Sequence, residues 1–138
     1  MKEIIAVIRM NKTNATKKAL VEAGVAGFTA IKVLGRGKLV EDPAVIAARK
    51  EKLLALAADE VVERAATERE LTAWLDGSSL FPRRLFTVMA FDEDVPRIVD
   101  AITRANRTDN KVGDGKIFVL PVLDAVRVRT GEAGDAAL

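Results

Sequence analysis

The chain has 138 residues, of which 49% are hydrophobic and 30% are charged, and its formal net charge is +2. These values predict one globular domain with a core of ordinary size, and the small net charge supports neither a nucleic-acid partner nor an anionic membrane surface. The absence of Cys and His excludes disulfides, thiolate nucleophiles and imidazole bases. No apolar run approaches the roughly 20 residues of a membrane span, so we expect a cytoplasmic protein.

The first part of the sequence predicts a strand, a helix and a second strand. Residues 4–8 form a short run rich in β-branched residues, which is typical of a buried strand. A helix is predicted after Asn11, a candidate N-cap, and Gly24 stands where a glycine closing the helix is expected. Its apolar stripe is predicted to be Ala15, Ala19, Leu20 and Ala23. The second strand is predicted over residues 28–34.

The last part of the sequence repeats this order. Residues 85–91 predict a strand, and the acidic residues 92–94, followed by Pro96, predict the start of a helix. The apolar stripe of this helix is predicted to be Val95, Ile98, Val99 and Ile102. After a polar turn over residues 106–111, the last long strand is predicted over residues 117–122. A short segment, residues 125–129, then alternates apolar and basic residues.

Two strand–helix–strand halves predict an α+β class, a ferredoxin-like βαβ–βαβ sandwich with an antiparallel sheet and both helices on one face. We expect residues 1–138 to form a single domain, with an insertion at about residues 39–82. Its composition, rich in Ala, Leu, Glu, Arg and Lys, predicts helix. The insertion is either a structural arm or a surface that binds a partner. In the second case its contacts are expected from Trp74, Leu71 and Leu54.

Three short motifs suggest that the chain binds phosphate. Residues 35–38 and 113–116 are both glycine-rich and basic, and both lie at strand ends, where backbone N–H groups can hold phosphate oxygens. Each lacks the spacing of a P-loop, so each taken alone is better explained as a tight turn at the end of a strand. Arg127 and Arg129 are predicted on one face of an extended segment, which suits phosphate binding or, alternatively, a solvated edge. Together the motifs favour an anionic nucleotide as ligand.

The sequence offers little for catalysis or for RNA recognition. The acidic residues 92–94 are explained by the start of a helix, where carboxylates favour the helix dipole. An RNA-binding module on this fold needs exposed aromatic residues on the sheet, but aromatic residues make up only 4% of the chain. We therefore expect that the protein is not an enzyme.

The motifs resemble those of the PII signalling proteins. Residues 113–119, Gly-Asp-Gly-Lys-Ile-Phe-Val, resemble the nucleotide-binding B-loop of that family. Residues 127–132, Arg-Val-Arg-Thr-Gly-Glu, and residues 135–138 resemble its C-terminal signature. Residues 32–37 resemble the end of the first half, where the T-loop begins. The resemblance covers the chain outside the insertion.

This resemblance implies a trimer with ATP or ADP in the clefts between subunits. The nucleotide-binding residues that it implies are Thr29, Gly35, Gly37, Met89, Gly113, Asp114, Gly115, Lys116, Arg127 and Arg129. Mg²⁺ and 2-oxoglutarate are further implied ligands. Leu39 stands where many members carry a Gln that helps to hold them, and Arg83 where a Lys usually meets 2-oxoglutarate. Contacts at these two positions would therefore differ in chemistry from the usual ones.

Within the family, the chain resembles the nitrogenase-regulating branch. Its opening, residues 1–12, and its long T-loop region are similar to the second member of a pair of PII-like proteins encoded with nitrogen-fixation genes. The implied function is reversible inhibition of nitrogenase by docking on dinitrogenase, relieved by ATP with 2-oxoglutarate. The assembly would be a homotrimer or a hetero-oligomer with a PII-like paralogue.

Two other functions stay open on the sequence alone. The chain could be a PII-like regulator of an ammonium transporter or of a metabolic enzyme, although the enlarged arm argues against a transporter whose pore is closed by a slim loop. It could also be a small ferredoxin-like enzyme that hydrolyses acyl phosphates.

Overall fold

The computed structural model describes residues 1–36, 80–109 and 113–138. The predicted helical insertion lies outside the described residues, together with the predicted contacts of Gly37, Leu39, Leu54, Leu71 and Trp74. The chain divides into two compact units, Met1–Val33 with Pro82–Leu138, and Leu34–Phe81. The packed core belongs to the first of these units. A single domain with an insertion at 39–82 stays a prediction.

The described elements follow the predicted order of strands and helices. They are β1 Lys2–Arg9, α1 Thr13–Glu22, β2 Thr29–Gly35, β3 Phe81–Ala90, α2 Val95–Asn106 and β4 Lys116–Pro121. Short 3₁₀ turns, Met10–Lys12 and Asp92–Asp94, lead into the two helices, and a third lies at Gly134–Ala137. Among the described elements, no helix is long and apolar enough to cross a membrane.

The four strands form one sheet in the order β2-β3-β1-β4. β1 lies between β3 and β4 and runs antiparallel to both, with Ile4 opposite Val88 on one side and Val119 on the other. Because side chains alternate along a strand, Ile4, Ala6 and Ile8 all point to the same face, and all three are buried. This topology confirms the predicted ferredoxin-like α+β fold.

The core forms where α1 and α2 pack on that face of the sheet. Its buried members are Ile4, Ala6, Ile8, Leu20, Phe86, Val88, Ala90, Ile98 and Ile102. Phe28 packs against it with its ring centroid 5.6 Å from that of Phe86. In α2, Ile98 and Ile102 are buried, and Val95 and Val99 pack beside them, so the predicted stripe of this helix is confirmed.

The first helix differs from its prediction. Asn11 is exposed within a 3₁₀ turn, and the helix begins only at Thr13, after Lys12. Consequently Thr16 and Leu20 face the core, whereas Ala15 is exposed. The predicted N-cap and part of the predicted stripe were therefore wrong.

The end of α1 was predicted correctly. Gly24 has φ +73°, and its N–H donates to the Val21 carbonyl at 2.9 Å. The N–H of Val25 donates to the Leu20 carbonyl at 3.0 Å. This pair of bonds is the Schellman arrangement that closes a helix with a glycine in the left-handed region.

Two further boundaries need correction. β3 begins at Phe81, four residues before its predicted start at 85. Asn106, predicted in a polar turn, is instead the last residue of α2 and is 4% exposed. Its side-chain amide donates to the Thr16 hydroxyl and to the Ile102 carbonyl, both at 2.9 Å. These bonds satisfy the N–H groups of the buried amide.

Candidate functional site

The loop formed by residues 113–116 (the 113–116 loop) leads directly into β4. Gly113 and Gly115 have φ values of +101° and +107°. Within the described ranges, positive φ values occur only at glycines. A Cβ atom on Gly115 would collide with the carbonyl oxygen of Val7 in β1, whereas one on Gly113 would meet nothing within 4 Å. The loop therefore passes against the β1 backbone at a distance that only glycine permits.

The carboxylate of Asp114, between these glycines, accepts three hydrogen bonds. The Arg9 Nη2 atom donates to Oδ1 at 2.7 Å, and the Thr108 hydroxyl donates to the same oxygen at 2.6 Å. The Thr108 N–H donates to Oδ2 at 2.8 Å. The Thr108 donors, with the charge of Arg9, hold the pKa of Asp114 below its ordinary value. This side chain is therefore bound within the chain, and any contact of Asp114 with phosphate would come from its backbone.

The backbone of the same loop carries N–H groups that form no hydrogen bond with the described residues. The N–H groups of Gly113, Asp114 and Gly115 have no acceptor within the described part of the chain. The sign of φ alternates along these three residues, an arrangement that can present successive N–H groups to an anion. Lys116, the first residue of β4, is exposed and adds a cation. The loop is thus chemically suited to phosphate.

The C-terminal segment folds into a small hairpin. Val126 forms an antiparallel bridge with Ala133, and the Arg127 N–H donates to the Glu132 carbonyl at 2.8 Å. The Arg127 guanidinium donates to Glu132 Oε2 at 2.5 Å and to the Leu138 carbonyl at 3.0 Å. Arg127 is therefore held by neighbouring residues of its own hairpin.

Arg129 lies differently from Arg127. Residues 128–130 form the turn of the hairpin, in which the Gly131 N–H donates to the Arg127 carbonyl at 2.8 Å. The predicted extended segment, with Arg127 and Arg129 on one face, was therefore wrong, because the backbone reverses between them. The Arg129 side chain is exposed, and it forms no hydrogen bond or ion pair with the residues that the structure describes.

The remaining predicted site residues lie on the sheet. Thr29 and Gly35 begin and end β2. Met89 lies opposite Glu3 in β3 and is 43% exposed. Arg83 lies opposite Arg9 at the other end of the same strand pair. Of all the predicted residues, the structure thus brings Arg83 and the 113–116 loop to the same end of β1.

Sequence reasoning did not find Arg9 and Thr108 as parts of this site. Arg9 belongs to none of the three motifs that suggest phosphate binding, and it is 105 positions from Asp114 in the chain. Only the register of the sheet, in which β4 pairs with β1 up to Val7 and Lys116, brings the two together. No local motif carries that information.

The sheet face opposite α1 and α2 carries both apolar and polar side chains, and no helix among the described residues covers it. The register assigns to it Ile5, Val7, Leu85, Met89, Phe118 and Leu120, hereafter the open face. Phe118 is 48% exposed and Leu120 is 39% exposed. Exposed apolar side chains grouped on one face of a sheet are typical of an interaction site.

Comparison with known proteins supports the resemblance along the whole chain. The family model for the nitrogen regulatory protein P-II matches residues 1–132. A nitrogen fixation nifHD region GlnB-like protein 2 of Methanobacterium ivanovii is 38% identical over 138 residues, which cover 100% of this chain and 99% of the relative. The protein of the same name from Methanothermobacter marburgensis is 39% identical over 138 residues, all of both chains.

A third relative carries the general family name. The nitrogen regulatory protein P-II of Cereibacter sphaeroides is 35% identical over 140 residues, covering 100% of each chain. With the family model and full-length relatives in agreement, the chain belongs to the P-II family of nitrogen regulatory proteins.

Proposed function

We propose that this chain is a nucleotide-sensing regulatory subunit that binds ATP or ADP at clefts between subunits and reversibly inhibits nitrogenase. The observation that carries the nucleotide part is the 113–116 loop, whose backbone N–H groups have no acceptor among the described residues, together with the cation of Lys116. The nitrogenase part rests on full-length relatives named after the nifHD region of nitrogen fixation genes.

The phosphates would be bound mainly by backbone donors and by cations. Gly113–Gly115 would offer N–H groups, since the Asp114 carboxylate is already bound to Arg9 and Thr108. Arg127 and Arg129 stand on the C-terminal hairpin, and no bond among the described residues joins that hairpin to the 113–116 loop. We therefore propose that the loop of one subunit and the hairpin arginines of its neighbour surround the same nucleotide. Thr29, Gly35 and Gly37 would line the facing wall, with Met89 near the base.

The open face is the surface proposed for assembly. Its apolar residues are partly exposed in the single chain, and their burial would stabilise an oligomer by roughly 25 cal/mol for each Å² of apolar surface removed from water. A homotrimer, or a hetero-oligomer with a PII-like paralogue, would cover this face and form the clefts at the same time. Assembly and nucleotide binding are then linked.

The target proposed for this assembly is dinitrogenase. The insertion at residues 39–82 would make the contact, with Trp74, Leu71 and Leu54 as apolar anchors. ATP with Mg²⁺ and 2-oxoglutarate would release it, and Leu39 and Arg83 would stand near the 2-oxoglutarate. The nucleotide then acts by favouring one of two arrangements of the regulator.

Calorimetric titration with ATP tests the nucleotide site, first alone and then with Mg²⁺ and 2-oxoglutarate. Arg129→Ala is the sharper variant, because this side chain has no partner to lose within the described part of its own chain. We expect ATP binding to weaken at least about tenfold, the scale of a lost hydrogen bond to a charged group. Arg104→Ala is the matched control, since among the described residues this exposed arginine pairs only with Asp100 on α2. Equal losses in both variants would contradict the proposed site.

A nitrogenase assay tests the target. Purified dinitrogenase and its reductase are assayed with MgATP present throughout, since the reductase consumes it, with and without the regulator, alone and together with its paralogue, and then with 2-oxoglutarate added. We expect inhibition that 2-oxoglutarate reverses in the presence of ATP. ATP binding without inhibition would instead favour a regulator of an ammonium transporter or of a metabolic enzyme. Phosphate release from acyl phosphates by the purified chain would favour the enzyme alternative.

A further inference from the structure

We propose that Arg9 is a positioning residue for nucleotide binding, which acts through Asp114. Together with Thr108, Arg9 holds the Asp114 side chain within the protein, so that the backbone N–H groups of residues 113–115 stay directed to the phosphates. This inference rests on the proposed nucleotide site, and it assigns to Asp114 the role of an anchor and not of a ligand.

The anchor is connected to both layers of the fold. Arg9 is the last residue of β1, the strand with neighbours on both sides in the sheet. Thr108 follows α2 by two residues, and both its hydroxyl and its N–H donate to Asp114. The Arg9 Nη2 atom also approaches the Asn106 carbonyl at 3.5 Å, at the end of α2. The loop is therefore fixed to the sheet and to the helix through a single carboxylate.

The loop needs such a restraint because of its glycines. Gly113 and Gly115 have the widest conformational freedom of any residue type, and both adopt positive φ values. Without an anchor, the N–H groups between them would sample many directions, and binding would have to order them. The side chain between the two glycines, Asp114, is the one that the protein holds.

The partial burial of the Arg9–Asp114 ion pair favours a role in holding the loop over direct contact with the phosphates. The side chains of Arg9 and Asp114 are only 23% and 29% exposed. Their charges compensate each other at 2.7 Å between Arg9 Nη2 and Asp114 Oδ1. An arginine neutralised in this way is a weak direct partner for phosphate, and a carboxylate acting directly on phosphate would repel it. The two roles therefore predict opposite effects when Asp114 is neutralised.

ATP titration of Asp114→Asn, Arg9→Met and the double variant tests the proposal. We expect Asp114→Asn to weaken ATP binding about tenfold, although it removes a negative charge near the phosphates, because a weaker anchor leaves the loop to be ordered on binding. Arg9→Met should weaken binding similarly. The double variant should be no more than about twofold weaker than either single variant, since both break one contact. Arg9→Lys, which keeps one donor, should recover part of the affinity.

Asp100→Asn is the matched control, because it neutralises an exposed carboxylate on α2 whose ion pair, in the part of the chain that the structure describes, is with Arg104 alone. It should leave ATP binding unchanged. Unchanged or tighter ATP binding in Asp114→Asn would overturn the proposal. So would additive losses in the double variant, because they would mean that Arg9 contacts the nucleotide by itself.

A second measurement separates this inference from the proposed function. Backbone relaxation of the ligand-free protein by NMR gives order parameters for the Gly113 and Gly115 amides. These should fall in Arg9→Met and Asp114→Asn but not in Asp100→Asn, and unchanged values would overturn the anchoring role. If the wild-type chain binds no nucleotide, the proposed function fails, and the order parameters still decide whether Arg9 holds the loop.

Discussion

At the scale of single residues, the two glycines of the 113–116 loop are under different constraints. Both have positive φ values, which strain any residue with a Cβ atom. Only Gly115 also lies against backbone atoms, those of Val7 and Ile8, while Gly113 has open space at the Cβ position. The energetic cost of the positive φ value and the energetic cost of the close packing can therefore be measured separately within one loop.

We predict that Gly113→Ala costs roughly 1–3 kcal/mol of unfolding free energy, from φ strain alone. Gly115→Ala should cost more, because its methyl group would collide with the Val7 carbonyl, which sits in the β1 ladder and cannot move freely. Urea unfolding of the two variants and the wild type measures both values. A smaller loss in Gly115→Ala than in Gly113→Ala would contradict the packing of the loop against β1.

The Asp114 carboxylate makes stability depend on pH in a defined direction. Its hydrogen bonds from Thr108 and the charge of Arg9 lower its pKa from the ordinary value of 3.8. A group with a lowered folded pKa stabilises the fold above its unfolded pKa, and this contribution is lost as the pH falls through the folded pKa. The stabilisation of the fold by the Asp114 carboxylate should therefore be complete near neutral pH and disappear in strong acid.

Comparison of the wild type with Asp114→Asn across pH tests this direction. We expect the wild type to unfold at higher urea concentration than the variant at all pH values well above 3.8. The difference should shrink below that pH and vanish once the wild-type carboxyl is protonated in both states. A difference that stays constant into strong acid would mean that the Asn side chain, and not the lost charge, causes the change.

At the scale of secondary-structure elements, the two helices are joined by a buried polar contact. Thr16 of α1 is fully buried, and its hydroxyl donates to the Lys12 carbonyl and accepts from the Asn106 amide of α2, both at 2.9 Å. Asn106 lies two residues before Thr108, which binds Asp114. The contact between the helices therefore adjoins the anchor of the 113–116 loop.

We predict that Thr16→Val destabilises the fold by about 1–3 kcal/mol, since it keeps the shape but leaves a buried Asn106 N–H without this acceptor. Thr103→Val is the matched control, because this half-buried threonine on α2 makes no side-chain hydrogen bond among the described residues. It should change stability by less than about 0.5 kcal/mol. Equal losses, measured by urea unfolding, would remove any special role for the contact between the helices.

The secondary-structure elements also show which features of the fold could be predicted from the sequence and which could not. Periodicity predicted the strand–helix–strand order and the stripe of α2, because apolar spacing directly reports which side is buried. It placed Ala15 in the core instead of Thr16, because a buried threonine needs a partner such as Asn106, 90 positions away. Polar contacts across the fold leave no local pattern.

The candidate site shows the same division. The glycines and Lys116 of the 113–116 loop could be identified as a motif, because the chemistry of phosphate binding is local in sequence. The partner of Asp114 could not, because Arg9 reaches it only through the β1–β4 register. Similarly, alternation suggested a strand at residues 125–129, while the bonds of Arg127 and Gly131 form a hairpin turn.

At the scale of the whole molecule, the open face and the 113–116 loop are both part of the proposed assembly. In that assembly the open face is buried between subunits, and the loop binds nucleotide at the clefts. Lys116 pairs with Val7 across β1 and β4, so β4 carries both the loop and part of the open face. Phe118, two residues further along, lies on that face and is 48% exposed. A change on this face should therefore affect oligomer formation and nucleotide binding together.

We predict that Phe118→Asp breaks the oligomer, because a carboxylate buried in an apolar interface has no partner to compensate its lost hydration. Light scattering after gel filtration should give the single-chain mass of 14.9 kDa for the variant and about three times that mass for the wild type. ATP binding should be lost in the same variant, since the hairpin arginines of a neighbour would no longer reach the loop.

Val21→Asp is the matched control for this experiment. Val21 is 65% exposed on α1, away from the open face, so the same chemical change should leave both mass and ATP binding as in the wild type. Circular dichroism of Phe118→Asp must retain the wild-type helix signal, which separates dissociation from unfolding. A folded, monomeric variant that still binds ATP with wild-type affinity would place the whole nucleotide site within one chain, and the hairpin arginines would then have to reach the 113–116 loop of their own chain.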